Sequence, residues 1–290
     1  MPSLRSRLSG LAVASAVAAG VLTSPALSAD AASPIAGAAA KPAAQSPPGA
    51  NDWSCKPSQE HPFPVVLVEG TFENMLKNWL TMSPYLKDKG YCIFALNYGK
   101  THGVQATGPI GRSAQELSRF VDKVLDATGA SEADLVGHSQ GGMMPRYYMR
   151  FLGGAAKVNH LIGIAPSNRG TTTPIQPPPG FAAGSPCKAC SQQMAGSAFL
   201  TKLNAGRDIE AGPSYTVIST IYDEVVTPYT SQALAGPATQ VTNLVIQDYC
   251  PLDTIEHDQT PNDPVVQQIV AAALSHNSGP ADPGFQPDCT

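Results

Sequence analysis

Charge is scarce in this 290-residue chain: Asp, Glu, Lys and Arg make up 14% of it, where about 25% is usual. With 18 basic against 22 acidic residues, a net charge of −4 and no basic run, the electrostatic footprint of a nucleic-acid binder is missing. Long hydrophobic runs are missing as well. The Leu8 to Leu22 stretch is about 15 residues, peppered with serine and glycine, short of the ~20 that span a bilayer. No later segment approaches that length, so a transmembrane segment is not expected. Metal signatures are thin. Cys187-Lys-Ala-Cys190 has neither a second CxxC nor paired histidines beside it, which argues against a zinc ribbon. Gly99-Lys100-Thr101 ends like a phosphate loop, but position 94 is Phe where that motif requires Gly. No internal repeat is visible. What remains is 42% hydrophobic residues, enough for the core of one α/β domain of about 200–250 residues with dispensable ends.

Those ends are legible by composition. Arg5 and Arg7 precede the apolar stretch, and small residues recur around Ala26, Ser28, Ala29 and Ala31. Residues 1–31 therefore read as a secretory signal cleaved near 28–31. Residues 32–52, rich in Ala, Pro, Ser and Gly, read as a flexible leader with little to bury. The catalytic domain is expected over 53–290, and the mature protein outside the cell. In that oxidising compartment the six cysteines, Cys55, Cys92, Cys187, Cys190, Cys250 and Cys289, point to three disulfides. Six cysteines permit about 15 pairings on sequence alone.

Hydrophobic periodicity sets out alternating strands and helices. Pro64 to Val68, Tyr91 to Leu96, Asp134 to Gly137, Val158 to Ile164, Tyr215 to Ile221 and Val241 to Ile246 read as buried strands. Helices are expected over Asn78 to Lys89, Arg112 to Ala127, through Tyr147 to Phe151, Gln192 to Leu203 and Pro264 to Leu274. In the second of these, Leu117, Phe120, Val121, Val124 and Leu125 recur at helical spacing. The alternation predicts an α/β fold, one mostly parallel sheet with helices on both faces. Residues 168–190 are too irregular for a core element and too long for a plain connection, and would border the mouth of a site or cover it.

One motif carries chemistry. Gly137-His138-Ser139-Gln140-Gly141 is G-x-S-x-G between a strand and a helix. A sharp turn there lifts the serine hydroxyl clear of the sheet, and small residues are needed because the backbones pass too closely for a Cβ. The following helix start offers unpaired N–H groups to a developing oxyanion. A serine nucleophile needs a base, and in such folds the order is Ser, then an acid, then His. His257, in a polar loop after the last strand, fits that place. His160 lies in an apolar strand run and His276 trails the final helix, so they read as a core residue and a helix cap. His138 adjoins the serine on a sharp turn and reads as supporting or packing. His61 and His102 precede the nucleophile and fit the order badly. For the acid, Asp223 directly after a β-branched strand fits best, with Glu224, Asp208, Glu210, Asp248 and Asp253 open as alternatives. Its task would be to hold one tautomer of His257 and stabilise the imidazolium. Oxyanion donors are expected from the backbone N–H of Gln140 and of Thr71 in the loop after the first strand.

Val68-Glu-Gly-Thr71, Asn78-Trp79-Leu80, Gly90-Tyr-Cys-Ile-Phe94, Leu135 to Tyr148 and Tyr222-Asp-Glu-Val-Val-Thr-Pro228 together resemble the secreted actinobacterial class 2 lipases of the α/β-hydrolase fold. More loosely the chain is similar to the yeast lipase B. The resemblance covers residues 53–289. It implies Ser139 as nucleophile, Asp223 as acid, His257 as base and Thr71 and Gln140 at the oxyanion hole. It further implies disulfides Cys55–Cys92 and Cys250–Cys289, which leaves Cys187–Cys190 as the third. The implied activity is hydrolysis of carboxylic esters, acylglycerols included, by a monomer at a lipid–water interface, without metal or cofactor. The family often carries His where this chain has Glu69, and with backbone donors the effect on the oxyanion loop is expected to be modest. An apolar acyl site would draw on Phe72, Leu76, Trp79, Met143 and Met144. Rival readings are a polyester or cutin hydrolase, an acyltransferase, a serine peptidase, or a hydrolase fold kept as a non-catalytic binding module.

Overall fold

Six short apolar runs, most of them buried on both faces, pair side by side in parallel: β1 (Val65–Val68), β2 (Ile93–Leu96), β3 (Ala133–His138), β4 (Val158–Ile164), β5 (Ser214–Ser219) and β6 (Val241–Val245), in the spatial order β2-β1-β3-β4-β5-β6. The computed structural model describes residues 45–177 and 186–290. The expected signal over 1–31, most of the leader and the centre of the 168–190 stretch lie outside the described residues. Parallel strands need helices on both sides, and alternate strand residues divide accordingly. Val66, Val68, Phe94 and Leu135 join the core under α3 (Ile110–Thr128) and α4 (Gln140–Phe151). Val65, Leu67, Ile93 and Val136 join the core under α2 (Met82–Asp88) and α8 (Pro264–Ser275). This is an α/β fold, one parallel sheet with helices on both faces. Among the described residues no helix is long and apolar enough to cross a membrane.

Two expected helices are each broken in two, for local reasons. Over Asn78 to Lys89 the chain instead forms α1 (Met75–Asn78), capped by the Asn74 side chain, then turns through Trp79 before α2. Over Gln192 to Leu203 it forms α5 (Lys188–Gln192) and α6 (Ala198–Leu203), separated at Gly196 with φ +77° and restarted by a Ser197 cap. The long helix α3 runs two residues further N-terminal than expected, starting after Pro109 and ending at Gly129 with φ +80°.

The leader expected to run free to residue 52 attaches earlier. Strand β2 is an edge strand with open backbone groups. Asn51 covers them: its N–H donates to Ile93 O at 2.9 Å, its Nδ2 to Ala95 O at 2.9 Å, and Ala95 N–H donates back to its Oδ1 at 3.0 Å. The disulfides Cys55–Cys92, Cys187–Cys190 and Cys250–Cys289 close sequence separations of 37, 3 and 39 residues. The first ties this incoming segment to the start of β2, and the last ties the chain end to the segment after α7 (Ile246–Tyr249).

Candidate active site

The turns beyond the C-terminal ends of β3, β5 and β6 converge. Ser139 sits between β3 and α4 with φ 54° and ψ −118°, a backbone region that L-residues rarely occupy. Close packing enforces the turn. A Cβ on Gly137 would stand 1.9 Å from Gly141 O, and one on Gly141 would stand 2.1 Å from Val68 O. Both flanking glycines are therefore required for steric reasons, as the motif leads one to expect. Ser139 and His257 both open on a cavity of about 370 Å³, with Gly70, Thr71 and Phe72 on the wall. Thr173 to Gln176 form another part of the wall, so the described part of the irregular 168–190 stretch borders the mouth.

Behind the cavity Asp223 and His257 are both buried, and His257 Nδ1 lies 2.7 Å from Asp223 Oδ2. The carboxylate is filled on its other sides. Oδ1 accepts the N–H groups of Val225 at 2.9 Å and Val226 at 2.7 Å, while Oδ2 also accepts Gln232 Nε2 at 2.7 Å. The alternative acids are engaged elsewhere: Asp208 with Arg169, Glu210 with Arg150 and Arg207, and Asp253 with the Ile255 N–H. Glu224 lies on the cavity wall.

Thr71 is held by amides. Its Oγ1 accepts Gln140 Nε2 and Gln193 Nε2, each at 2.8 Å. With two donors on its oxygen, the hydroxyl proton is left to point elsewhere. Gly70 N–H donates to Asn78 Oδ1 at 2.7 Å, which fixes the start of the same loop. Glu69, one residue earlier, faces away from the cavity and is wholly buried. Its Oε1 accepts Tyr98 N–H at 3.3 Å and its main-chain oxygen accepts the Tyr98 hydroxyl at 2.7 Å. Burial raises its carboxyl well above the usual range, against the opposing pull of the Tyr98 N–H. Turned from the cavity, the Glu69 side chain leaves the backbone N–H groups of the loop unobstructed.

The acyl-site expectation is corrected at four positions. Met143 and Met144 are fully buried in the core that α4 shares with α3, and neither is on the cavity wall. Trp79 is fully buried in the opposite core layer, and Leu76 is not on the cavity wall. Phe72 alone of that set lines the cavity. The other histidines separate cleanly. His160 is buried in β4 with Nε2 2.8 Å from Thr216 Oγ1, and burial lowers it to about 3. His276 caps α8, His61 packs at a tilt against the Tyr91 ring, and His102 is an exposed turn residue. His138 is buried beside the site, where its ring contacts Asn78 and the main chain of His257.

Four supporting roles were not assigned from the sequence. Asn78, Gln193 and Gln232 act at separations of 8, 122 and 9 residues from their partners, which no spacing along the chain announces. Arg146 is buried and, among the described residues, makes no salt bridge; it donates to the carbonyls of Asp208 and Asn168 and to the Asn204 side chain, bracing the segment that leads to the cavity wall.

A serine on a strained strand-to-helix turn, with an Asp–His pair from later turns of a parallel sheet, is the arrangement of the α/β-hydrolases. The fold comparison agrees: lipase B of Aspergillus fumigatus aligns with a TM-score of 0.68 and 21% identity over 82% of this chain and 57% of that one. More narrowly, the family model for class 2 lipases matches residues 62–270, and the chain belongs to that family. A triacylglycerol lipase of Burkholderia plantarii is 36% identical over 151 residues, which is 50% of this chain and 37% of that protein. A triacylglycerol lipase of Pseudarthrobacter phenanthrenivorans is 38% identical over 91 residues, or 29% and 27% of the two chains. The chain thus spans about a third of the length of the curated relatives it matches.

Proposed function

We propose that this protein hydrolyses carboxylic esters, with acylglycerols as its substrate class, through an acyl-enzyme on Ser139. The observation that carries the reading is the buried Asp223–His257 hydrogen bond of 2.7 Å, with His257 opening on the same cavity as Ser139. His257 Nδ1–H donates to Asp223, which leaves the Nε2 lone pair to accept the Ser139 proton as Oγ attacks the ester carbonyl. The resulting oxyanion receives the backbone N–H groups of Gln140 and Thr71, and the Thr71 hydroxyl adds a third donor because its oxygen already accepts two amides. Collapse expels the alcohol, protonated by His257, and leaves the acyl group on Ser139. Water, deprotonated by the same base, then releases the acid.

Export belongs to the same reading. Three disulfides with no free cysteine among the described residues fit an oxidising compartment. Intact mass of protein recovered from culture medium should correspond to cleavage near residues 28–31; a mature chain retaining residues 1–31 removes this part of the proposal.

The test of the chemistry is a fluorophosphonate followed by peptide mass spectrometry, beside p-nitrophenyl esters from C4 to C16 and a triglyceride emulsion. A single adduct on Ser139 with loss of ester hydrolysis is expected. Absence of both adduct and turnover in correctly oxidised protein overturns the proposal, and turnover of short esters without triglyceride restricts it to an esterase.

A further inference from the structure

His138 is buried between two oxygen atoms. Its Nδ1 lies 3.2 Å from Asn78 Oδ1, and its Nε2 lies 3.0 Å from the main-chain oxygen of His257. The orientation of the Asn78 amide is fixed independently, since Gly70 N–H donates to the same Oδ1 at 2.7 Å and an amide nitrogen there would oppose a second donor. Both ring nitrogens therefore face acceptors. Burial, and then the neighbouring His257, hold His138 well below its ordinary value, so the ring is neutral and has one proton to give. Asn78 Oδ1 already has a short bond from Gly70, and the contact on the Nε2 side is the closer of the two. The Nδ1 edge instead packs against the oxyanion loop, where a Cβ on Gly70 would stand 3.0 Å from it.

We propose that His138 is a positioning residue for the base: with its single proton on Nε2, it donates to the main-chain carbonyl of His257 and so sets where the His257 ring stands against Ser139. The inference rests on the reading of His257 as the base. Thr260 Oγ1 donates to the same carbonyl at 2.7 Å, so the backbone of His257 is gripped from two sides, one belonging to the serine's own turn. Through His138 the serine turn, the oxyanion loop and the base move as one body. A residue adjacent to the nucleophile in sequence thus acts on the base from behind, through the backbone.

Two measurements test this. In ¹⁵N-labelled wild-type protein, long-range ¹H–¹⁵N correlations of the imidazoles should show His138 as the Nε2–H tautomer; an Nδ1–H tautomer or an imidazolium near neutral pH overturns the proposal. The second compares His138→Gln, whose amide nitrogen stands near the position of Nε2 and keeps the donor, with His138→Asn, whose shorter amide reaches only the Asn78 side. At matched melting temperatures, H138Q should keep kcat within about threefold of wild type, while H138N should lose about tenfold to a hundredfold in kcat at unchanged KM. The downfield proton of the His257–Asp223 hydrogen bond should shift in H138N and stay in H138Q. Equal kcat and equal proton shifts in the two variants overturn the positioning role. If both variants fail to fold, the wild-type tautomer decides alone. Because the tautomer and the downfield proton are read without substrate, failure of ester hydrolysis in the wild type would strike the proposed function and leave this inference to its own spectra.

Discussion

Replacing Asp223 by Asn should separate catalysis from stability, and the hydrogen-bond geometry says why. Oδ1 of Asp223 accepts two backbone N–H groups, from Val225 and Val226, so an amide nitrogen cannot occupy that side. The new nitrogen must take the place of Oδ2, facing His257 Nδ1 at 2.7 Å and Gln232 Nε2 at 2.7 Å. Facing a donor, His257 has to present a lone pair at Nδ1 and carry its proton on Nε2, the atom that must accept from Ser139. A wrong tautomer of this kind typically costs about 10⁴ in kcat, which is about 5.4 kcal/mol of barrier. The fold has a way to absorb the same change. Gln232 Oε1 is buried and has no partner among the described residues. A half-turn of the Gln232 amide would bring that oxygen to the new N–H and remove the clash. The stability loss should therefore stay near 1 kcal/mol, a fall of about 2–4 °C in Tm for a domain of this size. Initial rates on a soluble p-nitrophenyl ester and a calorimetric melt of the same preparation make the comparison. A loss of less than tenfold in kcat would refute the tautomer argument. A fall in Tm large enough to leave the enzyme unfolded at the assay temperature would refute the Gln232 rotation.

Three further outcomes are expected. Thr71→Val removes both the acceptor for Gln140 and Gln193 and the hydroxyl proton, and should lower kcat by about 10², with Thr71→Ser restoring most of it; equal rates for the two variants would deny the hydroxyl a part. Gly141→Ala pushes a methyl to 2.1 Å from the Val68 carbonyl and should destabilise by about 3 kcal/mol or more. By contrast Gly153→Ala, at φ +77° with nothing within 4 Å of its Cβ, should cost only the conformational ~1–2 kcal/mol; thermal melts that rank them the other way contradict the close-packing account of the turn. Burial lifts the Asp134 carboxyl from 3.8 to about 7 despite a bond from Asn159. The folded protein then keeps a proton that the unfolded chain releases, so stability should fall by up to about 1.4 kcal/mol per pH unit above about pH 4 and level off near pH 7. Asp134→Asn should lack that slope, and a stability difference from wild type that is constant between pH 4 and 7 would contradict it.

What was legible in the sequence is what depends on neighbours along the chain. The strand Val158–Ile164 and the body of the amphipathic helix α3 follow from periodicity, because burial on one face or two is written into the local order of apolar residues. The Ser139 turn is written in its two flanking glycines for the same reason. The breaks at Trp79 and Gly196 were not legible: a helical pattern continues through both, and the chain departs from it to bury an indole in one case and to turn in the other. Nor could proximity to the motif tell that Met143 and Met144 are buried in the core while Phe72 lines the cavity. By itself, then, the sequence determined the α/β class, the strained serine turn and the order of the segments that bear Ser139, Asp223 and His257, all consequences of local sterics and hydrophobic spacing. Only the tertiary structure decided that Gln140 and Gln193 meet on Thr71, that Gln232 shares Asp223 with His257, and that His138 reaches the main chain of a residue 119 positions away. Those contacts form between polar groups with no period and no preferred neighbour, and become obligatory only when burial takes away the water that would otherwise satisfy them.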